Sequence, residues 1–221
     1  MNYGSLPFPF RRYQIGKVYR GERAQRGRFR EFYQADIDII GDGELSVVNE
    51  AEIPAIIYNT FTRLGLERFK IRVNNRKILS GFFEILGEKS DPAEIMRVID
   101  KLDKIGLEKV RGELLSMGLS GKSSDDVCAF ISISGSHEEI VEKLRAYENK
   151  SPIFDKGLSE LETVVSNLDS FGVPRENFGI DLTIARGLDY YTGTVYETAM
   201  LDHPEIGSVC SGGRYDDLAG F

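Results

Sequence analysis

Two strand-like runs flank a long basic loop near the start of this 221-residue chain, and together they require an antiparallel pair of strands early in the fold. The first run is Tyr13-Gln14-Ile15-Gly16-Lys17-Val18-Tyr19-Arg20 and the second is Phe32-Tyr33-Gln34-Ala35-Asp36-Ile37-Asp38-Ile39-Ile40. The connection, Gly21 to Glu31, is longer than a tight hairpin turn, and long loops on a rigid hairpin tend to be functional. Arg20, Arg23, Arg26, Arg28 and Arg30 concentrate positive charge there, in a chain whose formal net charge is −7. Most charge runs are solvated tips and nothing more. This one contains no lysine, and arginine is the residue suited to bidentate phosphate contacts.

A second stretch, Arg186-Gly187-Leu188-Asp189-Tyr190-Tyr191-Thr192-Gly193, precedes another strand-forming run, Thr194 to Thr198. It combines a cation, an anion, two phenols and a hydroxyl with two glycines. Core packing has no need of that mixture, whereas a site for a small polar ligand does: phenols donate and accept, arginine offers a fixed fork, and glycine admits close backbone approach. By itself the stretch fits a polar surface strand equally well.

Taken together, the two stretches resemble the histidyl-tRNA synthetase family. Val18 to Gln34 looks like class II motif 2 in its histidyl form, and Ala185 to Gly193 like the family's histidine-recognition motif. A third match is Val209-Cys210-Ser211-Gly212-Gly213-Arg214-Tyr215-Asp216-Asp217-Leu218. All three stand in the family's order, and the likeness runs through nearly the whole chain, weakest in its middle third.

The resemblance implies an α+β fold: a class II synthetase-like antiparallel sheet flanked by helices, with a helical insertion. The boundaries expected are residues 1–87 for the first part of the catalytic core, 88–174 for the insertion and 175–221 for the second part. It also implies ATP-dependent activation of histidine followed by transfer to tRNA, with Mg2+ bound through the ATP phosphates. Arg20 and Arg186 would lie by the α-phosphate as the catalytic cations. Glu22 would read the adenine amino group, Phe32 would stack on adenine, and Arg28 would meet the distal phosphates. Gln34, Asp38, Arg186, Tyr190, Tyr191 and Tyr215 would bind histidine, and Arg23 and Arg26 would contact tRNA or phosphate. Residues Gln34 and Asp38, four apart on one strand, face the same side.

The family's motifs 1 and 3 are not found in this chain. It is therefore expected to be an internal piece of the catalytic region, inactive in charging tRNA on its own, with the homodimer belonging to the intact enzyme. The alternative is a synthetase-like regulatory subunit of ATP phosphoribosyltransferase, a paralogue that usually loses the histidine motif. A basic RNA-binding module without catalysis would leave the tyrosine-rich stretch unexplained.

Composition narrows the remaining classes. With 41% hydrophobic and 29% charged residues, a packed core is within reach and disorder is not expected. No apolar run is long enough to span a bilayer and no signal peptide opens the chain, so no membrane partner is expected and the expected location is cytoplasmic. Cys128 and Cys210 form no metal-binding spacing, and His137 and His203 are isolated, so no metal site is expected.

In the middle of the chain, Ile53, Ile56, Ile57, Phe61 and Leu64 suit a helix, and Phe69 to Val73 a strand. Asp91-Pro92 opens a helix whose face runs through Ile95, Val98, Ile99, Leu102 and Ile105 to a stop at Gly106. Ser136 and Glu139 form a capping box ahead of Ile140, Val141 and Leu144. A last helix is expected from Ser159 to Phe171, with Leu161, Val164, Val165, Leu168 and Phe171 inward.

Overall fold

Alternation of side chains along the first two runs produces the hairpin. The computed structural model describes residues 3–21, 29–87, 90–185 and 191–216. Strands β1 (Phe10–Tyr19) and β2 (Glu31–Ile40) pair antiparallel as a two-stranded sheet, with Arg12 opposite Asp38, Gly16 opposite Gln34 and Val18 opposite Phe32. The period of two puts Phe32, Gln34, Asp36 and Asp38 on one half-buried face. The other face carries Tyr13, Ile15, Tyr19 and Tyr33, which are between 69% (Ile15) and 77% (Tyr13) exposed.

The main sheet contains β3 (Phe69–Asn75), β4 (Phe178–Ile180), β5 (Thr194–Met200) and β6 (Ser208–Gly213), in the order β4-β3-β5-β6. It is antiparallel except at its edge, where β4 runs parallel to β3. Phe69, Ile71 and Val73 point into the core, while Arg72 bridges Asp181 (3.2 Å) and Glu197 (2.7 Å) on the opposite face.

Helices α1 (Val48–Arg63), α2 (Arg76–Leu86) and α8 (Pro152–Ser170) pack around this sheet. The Asn75 side chain caps α2 by accepting from the Lys77 amide, and Gly87 ends it in the left-handed region at φ 66°. Gly81 and Gly157 let α2 and α8 touch backbone to backbone. A Cβ on Gly81 would fall 2.3 Å from the Phe154 amide nitrogen, and one on Gly157 2.7 Å from that of Ile78. On α1 the inward face is built from small residues, Ala51, Pro54 and Ala55, with Ile57, while Leu64 is 69% exposed. The expected stripe is only partly inward: Ile53 and Phe61 are half-buried against the core, and the most buried positions are mostly small where α1 lies against α8.

Between α2 and α8 stand α3 (Pro92–Ile99), α4 (Leu102–Ile105), α5 (Leu107–Ser116), α6 (Gly121–Ile131) and α7 (His137–Arg145). Asp91 and Pro92 open α3 as expected. The single helix expected up to Gly106 is broken at Asp100, where the Lys101 amide turns back to the Val98 carbonyl. The Ser136–Glu139 capping box is formed in both directions. Helix α8 starts before Ser159, because Ser151 caps it through the Phe154 amide and Pro152 fills its first turn. Its Leu161, Val164, Val165 and Leu168 are buried, but Phe171 closes the helix and is 42% exposed. Among the described residues, no helix is long and apolar enough to cross a membrane.

Candidate functional site

The half-buried face of the hairpin carries a polar ladder. Arg20 leaves the end of β1, where its amide still bonds the Arg30 carbonyl at 2.9 Å. Its guanidinium donates to Gln34 Oε1 at 2.9 Å and lies 5.0 Å from the centre of the Phe32 ring. Gln34 passes a hydrogen bond on to Asp36 Oδ1 at 2.6 Å. Two residues further, Asp38 pairs with Arg12 across the strands at 2.9 Å and accepts from the Tyr215 hydroxyl at 3.2 Å. A cation, an aromatic face, an amide and a carboxylate therefore follow one another along a single face.

The segment after β6 closes the far side of this face. Its Arg214 pairs with the backbone just before β5, the Thr192 amide bonding the Arg214 carbonyl and the Arg214 amide the Thr194 carbonyl, both at 2.8 Å. Tyr191 packs against Gly213, where an added Cβ would fall 3.0 Å from its ring and 2.9 Å from the Thr194 carbonyl oxygen. This glycine is needed for close approach rather than for a special backbone angle. Burial pushes the Cys210 thiol up, and the Asp36 carboxylate raises it further.

Below this face lies an ionic cluster. Arg214 donates to Glu50 Oε1 (2.7 Å), to the Leu45 carbonyl (3.0 Å) and to Asp216 Oδ1 (2.8 Å). Asp216 also accepts from the Thr192 hydroxyl at 2.5 Å. Burial opposes the charge on Asp216, but the hydrogen bonds from Thr192 and Arg214 outweigh it and hold the carboxyl below its ordinary range. Nearby, Lys77 pairs with Glu160 at 2.7 Å, and Asn75 donates to the same carboxylate.

Of the residues singled out from sequence, Arg20, Phe32, Gln34, Asp38 and Tyr215 meet on the hairpin face, with Tyr191 packed on the adjoining β6. The remaining ones, Glu22, Arg23, Arg26, Arg28, Arg186 and Tyr190, lie outside the described residues. Arg12 and Glu50 are not among the residues the sequence singles out, and Arg214 stands in the third matching stretch without an expected role. A cross-strand register would have exposed Arg12, directly opposite Asp38. For Glu50 the signal was Pro54, a proline inside a helix, which cannot donate to the carbonyl four residues back.

With this geometry in place, comparison with known proteins places the chain. A family model described as "Histidyl-tRNA synthetase" matches residues 4–220. A histidine–tRNA ligase of Clostridium tetani is 56% identical over 99% of this chain and 49% of its own length. The one from Finegoldia magna is 51% identical over 97% of this chain and 49% of its own length. The crystal structure of histidyl-tRNA synthetase from Nostoc sp. superposes with a TM-score of 0.92 at 43% identity, over 99% of this chain and 50% of that one. A more distant structure, titled as an ATP phosphoribosyltransferase regulatory subunit/histidyl-tRNA synthetase from Bacillus halodurans, gives 0.81 at 25% identity, over 99% and 54%. The chain thus spans about half the length of the curated relatives it matches. Its fold, the order of its motifs and these similarities agree: the chain belongs to the histidyl-tRNA synthetase family.

Proposed function

We propose that this chain supplies the histidine- and ATP-binding face of a histidine–tRNA ligase. The observation that carries the reading is the shared face on which Arg20 meets Gln34 and Asp38 meets Tyr215. A carboxylate already balanced by Arg12 is placed to receive the α-ammonium of an amino acid. Gln34 and the phenols of Tyr190, Tyr191 and Tyr215 supply donors and acceptors for the imidazole, and a site built to pair a polar side chain rejects analogues that leave it unpaired.

In the proposed reaction the histidine carboxylate oxygen bonds to the α-phosphorus of ATP while the bond to the bridging oxygen breaks. Pyrophosphate leaves and histidyl-adenylate remains, for transfer to the tRNA acceptor end. Arg20 and Arg186 neutralise the α-phosphate, Arg28 meets the distal phosphates with their Mg2+, Glu22 reads the adenine amino group, and Phe32 stacks on the ring. Arg23 and Arg26 contact tRNA or phosphate. Such chemistry depends on positioning and charge neutralisation more than on covalent catalysis. Residues 88–174 act as the helical insertion, with α8 as its return onto α1 and α2. The intact enzyme is a cytoplasmic homodimer.

Histidine-dependent exchange of pyrophosphate into ATP by the full-length protein tests this reading. Exchange that requires histidine supports it. Its absence, with a stimulated ATP phosphoribosyltransferase partner instead, would favour the regulatory-subunit reading that the Bacillus halodurans similarity raises. The chain at its present length is expected to bind histidine weakly in calorimetry and to charge no tRNA.

A further inference from the structure

Glu50 is 5% exposed, and three groups from or beside β5 and β6 converge on it. Its carboxylate accepts from Arg214 at 2.7 Å and from the Thr194 hydroxyl. Its backbone carbonyl accepts from the hydroxyl of the buried Tyr196. That last bond is available because the residue four positions on is Pro54, which has no N–H to give. Helix α1 is thereby tied to β5 by both the side chain and the main chain of one residue.

Arg214 continues the link outward. It spans Glu50, the Leu45 carbonyl and Asp216, and Asp216 in turn holds Thr192. Thr192 directly follows Tyr191, and Arg214 directly precedes Tyr215. Gly193 leaves room for this: a Cβ there would fall 3.0 Å from Arg214 Cδ and 3.4 Å from Lys77 Nζ. Resting on the reading of the hairpin face as a histidine site, we propose that Arg214, held by the buried Glu50, is a positioning residue for amino-acid recognition, locking the segments that bear Tyr191 and Tyr215 to each other and to α1.

Stability alone is a poor reason for this pair. A buried ion pair often does no better than apolar residues of the same volume, and its best-attested use is to fix one register. The register fixed here is that of two neighbouring backbones whose next residues are the two phenols. Tyr215 reaches Asp38 only if its segment leaves β6 along the path that Arg214 imposes.

The test uses steady-state pyrophosphate exchange by the full-length protein, with Arg214→Lys and, separately, the near-isosteric Glu50→Gln. Arg214→Lys keeps the charge but loses the fork. The KM for histidine is expected to rise about tenfold in each, with kcat and the KM for ATP within about twofold of wild type, because the loss falls on amino-acid binding. In a Tyr215→Phe background the added effect of Arg214→Lys should shrink below its tenfold, since part of it acts through the Tyr215 contact. Lowered thermal stability with an unchanged KM for histidine would show a merely structural role and overturn the proposal, as would full additivity with Tyr215→Phe. If Arg214→Lys does not fold, Glu50→Gln carries the same comparison. Absence of histidine-dependent exchange in the wild type would instead overturn the functional reading itself.

Discussion

Arg20 does two things at once on the hairpin face: it bonds Gln34 and lies over Phe32. In the free protein these contacts hold the guanidinium near the place proposed for the α-phosphate. Arg20→Ala in the full-length protein should therefore slow pyrophosphate exchange by about 10²–10³, the usual cost of one charged contact made in the transition state. Its exposed position predicts little change in melting temperature, and an unchanged exchange rate would remove it from the chemistry. A second residue predicts a pH effect. His137 stacks on Phe178 with 4.4 Å between ring centres, and burial, helped by Arg175 and Lys70, holds its pKa below the ordinary value. The unfolded chain thus takes up this proton more readily than the folded one. The stability contributed by the neutral ring is full above about pH 6.5 and is lost as pH falls through the lowered folded-state value. Urea midpoints between about pH 7.5 and pH 5.5 should fall for the wild type and fall less for His137→Phe, which stacks without titrating.

Elements in this molecule are joined by small residues and caps. Helices α2 and α8 approach through Gly81 and Gly157, so Gly81→Ala must push the Phe154 backbone away. Overpacking of this kind typically costs about 1–3 kcal/mol, and a fall of that size in urea-derived stability is expected. Helix α7 depends on its reciprocal cap, and Ser136→Ala should cost about 1 kcal/mol by the same measurement. An unchanged midpoint for Gly81→Ala would mean that the two helices can part without loss.

Across the whole molecule, cohesion is uneven. In the main sheet β3, β4 and the first half of β5 are largely buried and only β6 is open, whereas the hairpin is a two-stranded sheet with one face open. It is fastened through Arg11 to Glu52 and Asn49, and through Asp38 to Tyr215. Two-stranded sheets have little stability of their own. Native-state hydrogen exchange should therefore find the β1 and β2 amides exchanging at lower opening energies than those of β3 and β5. Equal protection in both sheets would show that the hairpin opens only with the core.

The hairpin, the capping box and the strand at Phe69 were legible because each is written in neighbouring residues: alternation, a cap three positions from its partner, charge on one loop. Of the candidate site, the shared face of Gln34 and Asp38 was legible for the same reason, from their spacing on one strand, whereas the roles expected of Arg20, Phe32, Gln34 and Asp38 came from the family resemblance. Helix α2 was overlooked because it begins directly after β3, with Asn75 serving both elements. The break at Asp100 was invisible because Ile95 to Ile105 keeps a helical spacing through it. The inward face of α1, the join of Gly81 to Phe154 and the bond from Arg214 to Glu50 were decided only in three dimensions. Glu50 and Arg214 are 164 residues apart, and neither is unusual among its neighbours. Local sequence sets which backbone shapes are cheap and which side chains share a face. Partners that meet across the chain are set by how the helices pack on the sheet, and no short stretch of residues encodes that.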